Sequence, residues 1–300
     1  MILAIGEILL DTFIEEEKEG YQASLRIGGA PFNLAARASL KGVETAFYGS
    51  IGDDAFGEMV LEKAKSYPLS HLYLKKNKRK NTTLAVVRLQ NGERSFDFVR
   101  NDVTDTLLDL KDLSRFSLKA NDIVHFGSLL LTSREGFSFL KAAFPVLKKQ
   151  SCFLSLDLNV RDKAFIGEDE IVRKRYFEIL KEMDYVKGSD DDLKWLSSLS
   201  PVSFKEKYLK PESLFFLTHG EKGSEVLYRN EATFETERIF IPSSLTKAVD
   251  TTGAGDAFYA SVLASLSQNQ RDLDFFSILK EANTEGALAT TYKGALPIVK

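Results

Sequence analysis

Short apolar runs that alternate with longer segments of helical period constrain the fold of this chain more than any other feature. A buried parallel strand is apolar on both faces, so these runs predict an α/β fold with a mostly parallel sheet and helices on both sides. The helical segments include residues 133–149, 168–183 and 31–41, the last of which begins with Pro31 and is followed by Gly42. The predicted strands are Ile2 to Ile5, Ala46 to Tyr48, Ile123 to Phe126, Phe153 to Leu156, Tyr185 to Val186 and Leu214 to Leu217.

One stretch departs from this alternation. Two strand-like runs, Thr83 to Leu89 and Arg94 to Val99, flank Asn91-Gly92, and Asn-Gly between such runs is the strongest short-range hairpin signal. The segment from Ile8 to Ile14 also has strand character. Together these segments predict a small antiparallel sheet, which is either a lid over a substrate cleft or an edge hairpin of the main core.

A length of 300 residues allows one large α/β domain or two smaller ones.

Composition excludes several classes of partner. The 40 basic and 43 acidic residues are mixed along the chain, and the net charge of −3 indicates neither nucleic acid nor an anionic membrane as a partner. The one dense basic run, residues 75–80, lacks interleaved aromatic residues and is interpreted as a solvated loop. No uncharged apolar run approaches the roughly 18 residues of a membrane span.

The cysteine and histidine residues indicate neither disulfide nor zinc chemistry. Cys152 is the only cysteine and lies in an apolar run, so we expect a buried strand residue in a protein of the reducing cytoplasm. The three histidines are far apart and have no cysteine at metal-binding spacing. His125, between two apolar residues, is expected to be a hydrogen-bonded core residue. The first residues carry no basic leader, unlike a secretion signal.

The most informative segment is residues 249–258, Val-Asp-Thr-Thr-Gly-Ala-Gly-Asp-Ala-Phe, which leads into an apolar helix. Its glycines allow the N–H groups of Gly253, Ala254, Gly255 and Asp256 to point outward at a positive helix end, which makes an anion hole. A carboxylate there would repel a bound phosphate, so Asp256 needs another role. Accepting the proton of an attacking hydroxyl in phosphoryl transfer is such a role. The alternative is a glycine turn in which Asp256 caps the helix.

The same segment differs from two other phosphate-binding motifs. It has neither the Lys-Ser/Thr ending of a P-loop nor the third small residue of a dinucleotide fingerprint. It also lies near the end of the chain, whereas the fingerprint normally opens a βαβ unit. A dehydrogenase is therefore excluded.

A second group of residues suits a polyol. Gly28 and Gly29 lead into a predicted helix with an amide, Asn33, on its first turn, where a purely apolar packing face would not use one. Asp11, in the first strand-like segment, could accept hydrogen bonds from paired hydroxyl groups. Each of these residues alone is also typical of an ordinary cap or turn.

Polar residues also follow two predicted strands at their carboxyl ends, where ligands gather in open α/β sheets. Asp157, Asn159 and Arg161 follow the fourth predicted strand and would lie on one side of the chain if it stayed extended. Arg161 offers a planar fork for phosphoryl oxygens, and a buried Asp157–Arg161 ion pair is the alternative. After the last predicted strand, residues 218–224 form a glycine-rich turn typical of a nucleotide-contacting loop, although any hairpin uses such glycines.

In this order and at these separations, the four segments resemble the ribokinase-like (PfkB) carbohydrate kinase family over nearly the whole chain. The early family signature is similar to residues 28–33 continuing to 49–57, and the late one is similar to residues 250–258. The resemblance implies one three-layer α/β/α domain over residues 1–300, with a small β-sheet lid from about residues 8–27 and 82–104. It also implies ATP and Mg²⁺, and many members of the family need a monovalent cation such as K⁺.

The resemblance implies roles for individual residues at matching positions. The sugar would be bound by Asp11, Gly29, Asn33 and Arg100. The nucleotide and its phosphates would be bound by Asn159, Thr218, Gly220, Gly223, Gly253, Ala254 and Gly255, with Asn283 on the adenine side. A monovalent cation would contact Asp250 and Thr252. Where the family has Asn-x-x-Glu near the water shell of Mg²⁺, this chain has Ser189 to Asp192, so that Asp192 would reach the metal through water with a shorter side chain.

Within the family, residues 6–7, 29–31, 98–100 and 125–128 are most similar to fructokinases, which convert D-fructose to fructose 6-phosphate. A 2-keto-3-deoxygluconate kinase shares the Asp-x-Asn-x-Arg segment and is the leading alternative, followed by another sugar or nucleoside kinase. A protein of a different class, a non-catalytic nucleotide- or sugar-binding regulator, would lack the base or the anion hole. The implied partners are ATP and a small sugar, and a homodimer formed through the lid is one expected assembly.

Overall fold

A nine-stranded sheet runs through the part of the chain that the structure describes. The structure is a computed structural model covering residues 1–17, 19–90, 93–100, 102–244, 246–269 and 273–297, with the backbone alone for residues 87–90 and 93–96. The strands are β1 (Ile2–Ile5), β4 (Thr45–Gly52), β5 (His71–Asn77), β8 (Ile123–Phe126), β9 (Phe153–Asp157), β10 (Tyr185–Ser189), β11 (Leu214–Thr218), β12 (Gly223–Arg229) and β13 (Thr236–Pro242). Their order is β13-β12-β11-β10-β9-β8-β1-β4-β5, and only β12 and β13 run antiparallel to their neighbours.

Helices cover both faces of this sheet because its strands are apolar on both sides. Ile2 and Ala4 of β1 pack on one face, and Leu3 and Ile5 pack on the other. The first face is covered by α1 (Ala30–Leu40), α2 (Ala55–Ala64), α7 (Ala254–Gln268) and α8 (Phe275–Ala289). The second is covered by α3 (Arg134–Lys149), α4 (Asp169–Leu180), α5 (Asp190–Leu196) and α6 (Pro201–Tyr208). The predicted three-layer α/β/α architecture is confirmed.

A second, four-stranded sheet contains β2 (Leu9–Glu17), β3 (Gly20–Gly28), β6 (Leu84–Gln90) and β7 (Glu93–Val99) in the order β3-β2-β6-β7. The predicted small sheet is therefore present, but it is not wholly antiparallel, because β2 and β6 pair in parallel. These two strands are far apart in sequence and are not joined by a hairpin, so they can run in the same direction. The predicted Asn91-Gly92 turn lies outside the described residues, although β6 and β7 pair antiparallel as far as Gln90 opposite Glu93.

Several smaller predictions have clear outcomes. His125 is buried, and its Nδ1 lies 3.1 Å from Ser155 Oγ, as expected of a core residue. Cys152 is buried and has a free thiol, as expected, but it lies one residue before β9 and not within the strand. The loop predicted for residues 75–80 is wrong in its first half, because β5 continues to Asn77. Within this strand, Lys75 pairs with Asp109 at 2.7 Å.

None of the described helices is long and apolar enough to cross a membrane. The same part of the chain contains no cluster of three or more histidine, cysteine, aspartate or glutamate side chains placed to hold a metal ion.

Candidate active site

The N-terminus of α7 has the geometry that its glycines predict. Gly253 adopts a φ of +76°, in the left-handed region, and a Cβ there would lie 2.6 Å from the Cα of Ala295. Only glycine fits this position. The helix starts at Ala254, so its first turn presents N–H groups that have no partner within the helix. The N–H of Ala254 donates to the Thr251 carbonyl oxygen at 3.2 Å, at the positive end of the helix dipole. An anion hole at this helix end remains a prediction.

Asp256 lies in this first turn but does not cap the helix. Its Oδ2 accepts a hydrogen bond from Asn33 Nδ2 at 2.7 Å, and both side chains are buried. The helix-cap interpretation of Asp256 is therefore wrong, since the carboxylate points toward α1. Asn33 Oδ1 is buried and accepts no hydrogen bond in the described structure. One end of the amide thus fixes the carboxylate, and the other end remains available to a ligand hydroxyl.

Asp11 is a second buried carboxyl group, near enough to Asp256 to be affected by its charge. Its side chain lies against Gly28, where a Cβ would come within 2.3 Å of Asp11 Oδ2. Burial raises the pKa of Asp11 to about 7; the positive charge of Arg161 opposes this shift, and the charge of Asp256 adds to it. Asp11, Asp256 and Arg161 therefore act on one another electrostatically. Gly29 is equally constrained, because a Cβ there would lie 2.5 Å from the Glu7 carbonyl oxygen.

The two arginines predicted to contact substrate or phosphate, Arg100 and Arg161, differ in how many of their N–H donors are hydrogen-bonded within the protein. Arg100 donates from Nε and Nη2 to the two carboxylate oxygens of Asp105, at 2.8 and 2.9 Å, and from Nη1 to Thr132. Most of its donors are therefore occupied by the protein, which the sequence did not predict. Arg161 is half-buried, and its charge acts on the carboxyl groups of Glu7 and Asp11.

The chain after β9 does not stay extended, so the predicted alternation fails there. Asn159 has a positive φ of 34°, which turns the segment and separates Asp157 from Arg161. Asp157 instead forms a buried ion pair with Lys187, with Nζ 3.1 Å from Oδ2. The alternative of an Asp157–Arg161 pair is therefore wrong.

Lys187 is a site residue that the sequence analysis missed. It lies in β10 and is buried, and a Cβ added to Gly255 would lie only 2.9 Å from its Nζ. Burial opposes the charge of Lys187, but the carboxylates of Asp157, Asp192 and Asp256 raise its pKa above the ordinary value. An ammonium group therefore lies directly against the anion hole. A lone lysine in an otherwise apolar strand was the signal that could have revealed it.

A cleft of about 360 Å³ opens beside the start of α7. Six of the eight residues predicted to bind the nucleotide and its phosphates lie in its wall: Thr218, Gly220, Gly223, Ala254, Gly255 and Asn283. The other two, Asn159 and Gly253, are not among the residues that line it. The amide of Asn283 is already used, since Nδ2 donates to the Ile241 carbonyl and Oδ1 accepts from Ser224. Asn283 therefore shapes the wall of the cleft by joining α8 to the neighbouring strands. The cleft also contains residues that the sequence analysis did not single out, among them Ser243, Ser244, Thr246, Gly286 and Thr290.

Both carboxylate oxygens of Asp192 accept hydrogen bonds from backbone N–H groups. Its Oδ2 accepts from the N–H of Ser189 at 2.8 Å, and its Oδ1 accepts from the N–H of Val160 at 2.6 Å. The shortened Ser189-to-Asp192 motif is a capping box at the start of α5. The protein therefore offers no cage for Mg²⁺ here, which fits an ion that is held chiefly by substrate phosphates and water.

Asp250 ties two loops together at the proposed monovalent-cation position. Its carboxylate accepts from the N–H of Thr252 and from the N–H of Gly294, both at 2.9 Å. The carboxylate thus joins the segment before α7 to the segment after α8. The contact of Asp250 and Thr252 with a monovalent cation remains a prediction.

Comparison with known proteins identifies the family of the chain. A family model described as pfkB family carbohydrate kinase matches residues 1–299. The chain belongs to the pfkB family of carbohydrate kinases. As a family member it is a phosphotransferase that acts on an alcohol group of a sugar.

Individual relatives of this carbohydrate kinase share its whole length. Probable fructokinase-5 of Arabidopsis thaliana is 33% identical, with 99% of this chain and 93% of the relative aligned. A sugar kinase of Pyrococcus horikoshii, solved in complex with ATP, is 29% identical with a TM-score of 0.84, over 98% of this chain and 94% of the other. A fructokinase double mutant of Vibrio cholerae O395, solved with fructose, ADP and potassium, is 27% identical with a TM-score of 0.84, over 98% and 93% of the two chains.

Glu7 is the second buried ionisable group that the sequence analysis missed, and its raised pKa makes the stability of the kinase depend on pH. It is 3% exposed, its Oε2 has no hydrogen-bond partner in the described structure, and burial raises its pKa to about 8 from 4.5. The folded protein therefore holds a proton that the unfolded chain releases above pH 4.5. The free energy of unfolding that this bound proton adds is fully present below pH 4.5. It decreases by about 1.4 kcal/mol per pH unit as pH rises from 4.5 toward 8.

We predict that Glu7→Gln, which keeps the shape and removes the charge, increases the free energy of unfolding at pH 8.5 far more than at pH 5. Urea denaturation of both proteins at the two pH values measures the difference. An equal change at pH 5 and pH 8.5 would contradict a raised pKa of Glu7.

Proposed function

We propose that this carbohydrate kinase is an ATP-dependent fructokinase, which transfers the γ-phosphoryl group of ATP to fructose and forms fructose 6-phosphate. The observation that carries the proposal is the position of Asp256. Its carboxylate is held by Asn33, it follows Gly255 of the cleft wall directly in α7, and its charge acts on Asp11. The fructokinase relatives, and the Vibrio cholerae structure with fructose and ADP, support the choice of sugar.

In the proposed mechanism, Asp256 orients the acceptor hydroxyl and takes its proton. The acceptor oxygen forms a bond to the γ-phosphorus while the bond from that phosphorus to the β–γ bridging oxygen breaks, and ADP leaves with the bonding electrons. The proton passes to the carboxylate oxygen of Asp256 that Asn33 does not occupy. Asn33 therefore keeps the base in one orientation throughout the reaction.

Two sources of positive charge face the transferred phosphoryl group. The N–H groups of residues 253–256 provide the positive end of α7, and Lys187 provides a buried ammonium next to Gly255. Fixed dipoles and charges of this kind stabilise a transition state without reorganising during the reaction. Mg²⁺ arriving with ATP would neutralise further charge on the phosphates.

The sugar side of the proposed site consists of hydrogen-bond acceptors. Asp11 and the free Oδ1 of Asn33 accept hydrogen bonds from hydroxyl groups, and Arg161 lies close enough to influence Asp11. We infer that the second sheet, within residues 8–27 and 82–104, acts as a lid, because Asp11 lies on β2 and β3 leads through Gly28 into α1. The same sheet is our proposed dimer surface.

The proposed location of the kinase is the cytoplasm, because the free thiol of Cys152 suits a reducing compartment.

A 2-keto-3-deoxygluconate kinase is the second candidate, since Arg161 could pair with the carboxylate of such a substrate. Glu7 and Asp11 already lie in the field of Arg161. An additional anion here would be repelled by the carboxylate of Asp256 and by Asp11 when Asp11 is ionised, whereas the raised pKa of Glu7 keeps that group mostly protonated near neutral pH. A neutral sugar therefore suits the charge balance better.

The proposal is tested by an assay that couples ADP release to turnover, with ATP and Mg²⁺, with and without K⁺. Fructose, ribose, 2-keto-3-deoxygluconate, glucose and adenosine are compared as acceptors. We expect the highest kcat/KM for fructose. A higher kcat/KM for another acceptor would overturn the fructokinase proposal, and an absence of turnover with all acceptors would favour a non-catalytic binding protein.

We predict that Asp256→Asn lowers kcat by about 10²- to 10⁴-fold, because an amide cannot accept the hydroxyl proton. ATP binding, measured by isothermal titration calorimetry, should change little. Asp169→Asn, which removes an exposed carboxylate from the first turn of α4, is the matched control and should retain kcat. Near-normal turnover by Asp256→Asn would exclude Asp256 as the base.

A further inference from the structure

One face of α1 contacts three successive parts of the C-terminal region. Asn33, Arg37 and Lys41 are spaced four residues apart and therefore lie along the same side of the helix. Asn33 contacts Asp256 at the start of α7, and Lys41 at the end of α1 pairs with Glu281 of α8 at 2.7 Å. Arg37, between them, contacts residues 290–297, which we call the C-terminal turn.

Arg37 is buried although it is charged, with 8% of its surface exposed. Its Nε donates to the carbonyl oxygen of Ala295 at 3.1 Å, and its Nη2 donates to the same oxygen and to the hydroxyl of Tyr292 at 2.8 Å. The partners that the structure describes are thus a carbonyl and a phenol, not a carboxylate. A guanidinium group is buried only where its donors are satisfied, so this interaction fixes the position of the Ala295 carbonyl.

Ala295 in turn packs directly against the anion hole. A Cβ on Gly253 would lie 2.6 Å from the Cα and 2.9 Å from the carbonyl oxygen of Ala295. The adjacent residue, Gly294, donates its N–H to Asp250 at 2.9 Å. The C-terminal turn therefore supports Gly253 from one side and the segment that precedes it from another.

We propose that Arg37 is a positioning residue for phosphoryl transfer. By holding the Ala295 carbonyl, it fixes Gly253 in its left-handed conformation and so directs the first N–H groups of α7 toward the transferred phosphoryl group. This inference rests on the proposed role of the α7 N-terminus as the anion hole. Arg37 does not touch the substrate, so its removal affects the rate of transfer and leaves sugar binding largely unchanged.

The test compares steady-state kinetics of the full-length wild type with Arg37→Met, Arg37→Lys and the control Lys41→Met, all with ATP, Mg²⁺ and the best acceptor. We expect Arg37→Met to lower kcat by about 10- to 100-fold, since a displacement of about 1 Å in such a site has an effect of this size. KM for the sugar should stay within about twofold of the wild type, because Asn33 and Asp11 are untouched. Lys41→Met, which removes a charge from the same helix face, should retain kcat.

Chemical rescue separates this role from a general effect on folding. In Arg37→Ala, a guanidinium ion can occupy the space left by the side chain, so guanidinium chloride at non-denaturing concentration should restore part of kcat. Sodium chloride at the same concentration, which supplies no N–H donor to the Ala295 carbonyl, should not. Rescue by both compounds or by neither, in a variant with a wild-type melting temperature, would overturn the proposal.

The remaining outcomes also decide the question. If the Met and Ala variants do not fold, Arg37→Lys decides alone: a folded Lys variant with wild-type kcat contradicts the proposal, and one with low kcat and normal sugar KM supports it. An active wild type with unaffected Arg37 variants overturns this inference and leaves the proposed function intact. An inactive wild type overturns the proposed function, and the role of Arg37 with it.

Discussion

The hydrogen bond between Asn33 and Asp256 is the interaction on which the rest of the site depends. It joins two residues that are 223 positions apart, with Nδ2 and Oδ2 separated by 2.7 Å. Both side chains are buried, so each needs a partner to offset its desolvation. The bond therefore fixes the start of α1 against the start of α7, and it places one carboxylate between the proposed sugar-binding and phosphate-binding residues.

The glycines around this bond are explained by packing. A side chain at Gly28 would collide with Asp11, one at Gly29 with the Glu7 carbonyl, and one at Gly253 with Ala295. Two helix N-termini approach each other closely only where such space is left free. The same close approach places the ammonium of Lys187 against Gly255, where it balances several buried carboxylates. Geometry and charge at the anion hole thus have a common cause.

The sequence predicted six of the nine strands of the main sheet, among them β1, which is apolar at every position, and β8, which is apolar except at His125. It missed β5, β12 and β13, which are less uniformly apolar. It also identified Asn33 and Asp256 separately, but their contact depends on the packing of two helices that are distant in sequence. Predictions about side-chain pairing were less successful where the backbone leaves regular structure. The positive φ of Asn159 redirects the chain after β9, so Asp157 pairs with Lys187 and not with Arg161. Asp105 similarly engages Arg100 through a loop that has no sequence period.

The most direct test of this account is a double-mutant cycle on kcat with Asn33→Ala, Asp256→Asn and the two combined, each measured at saturating sugar and ATP. If Asn33 acts by orienting Asp256, the double variant should be about as slow as Asp256→Asn alone, because the amide has no base left to orient. If the two reductions in kcat simply multiply, the residues act independently, and the claim that this hydrogen bond holds the catalytic base is contradicted.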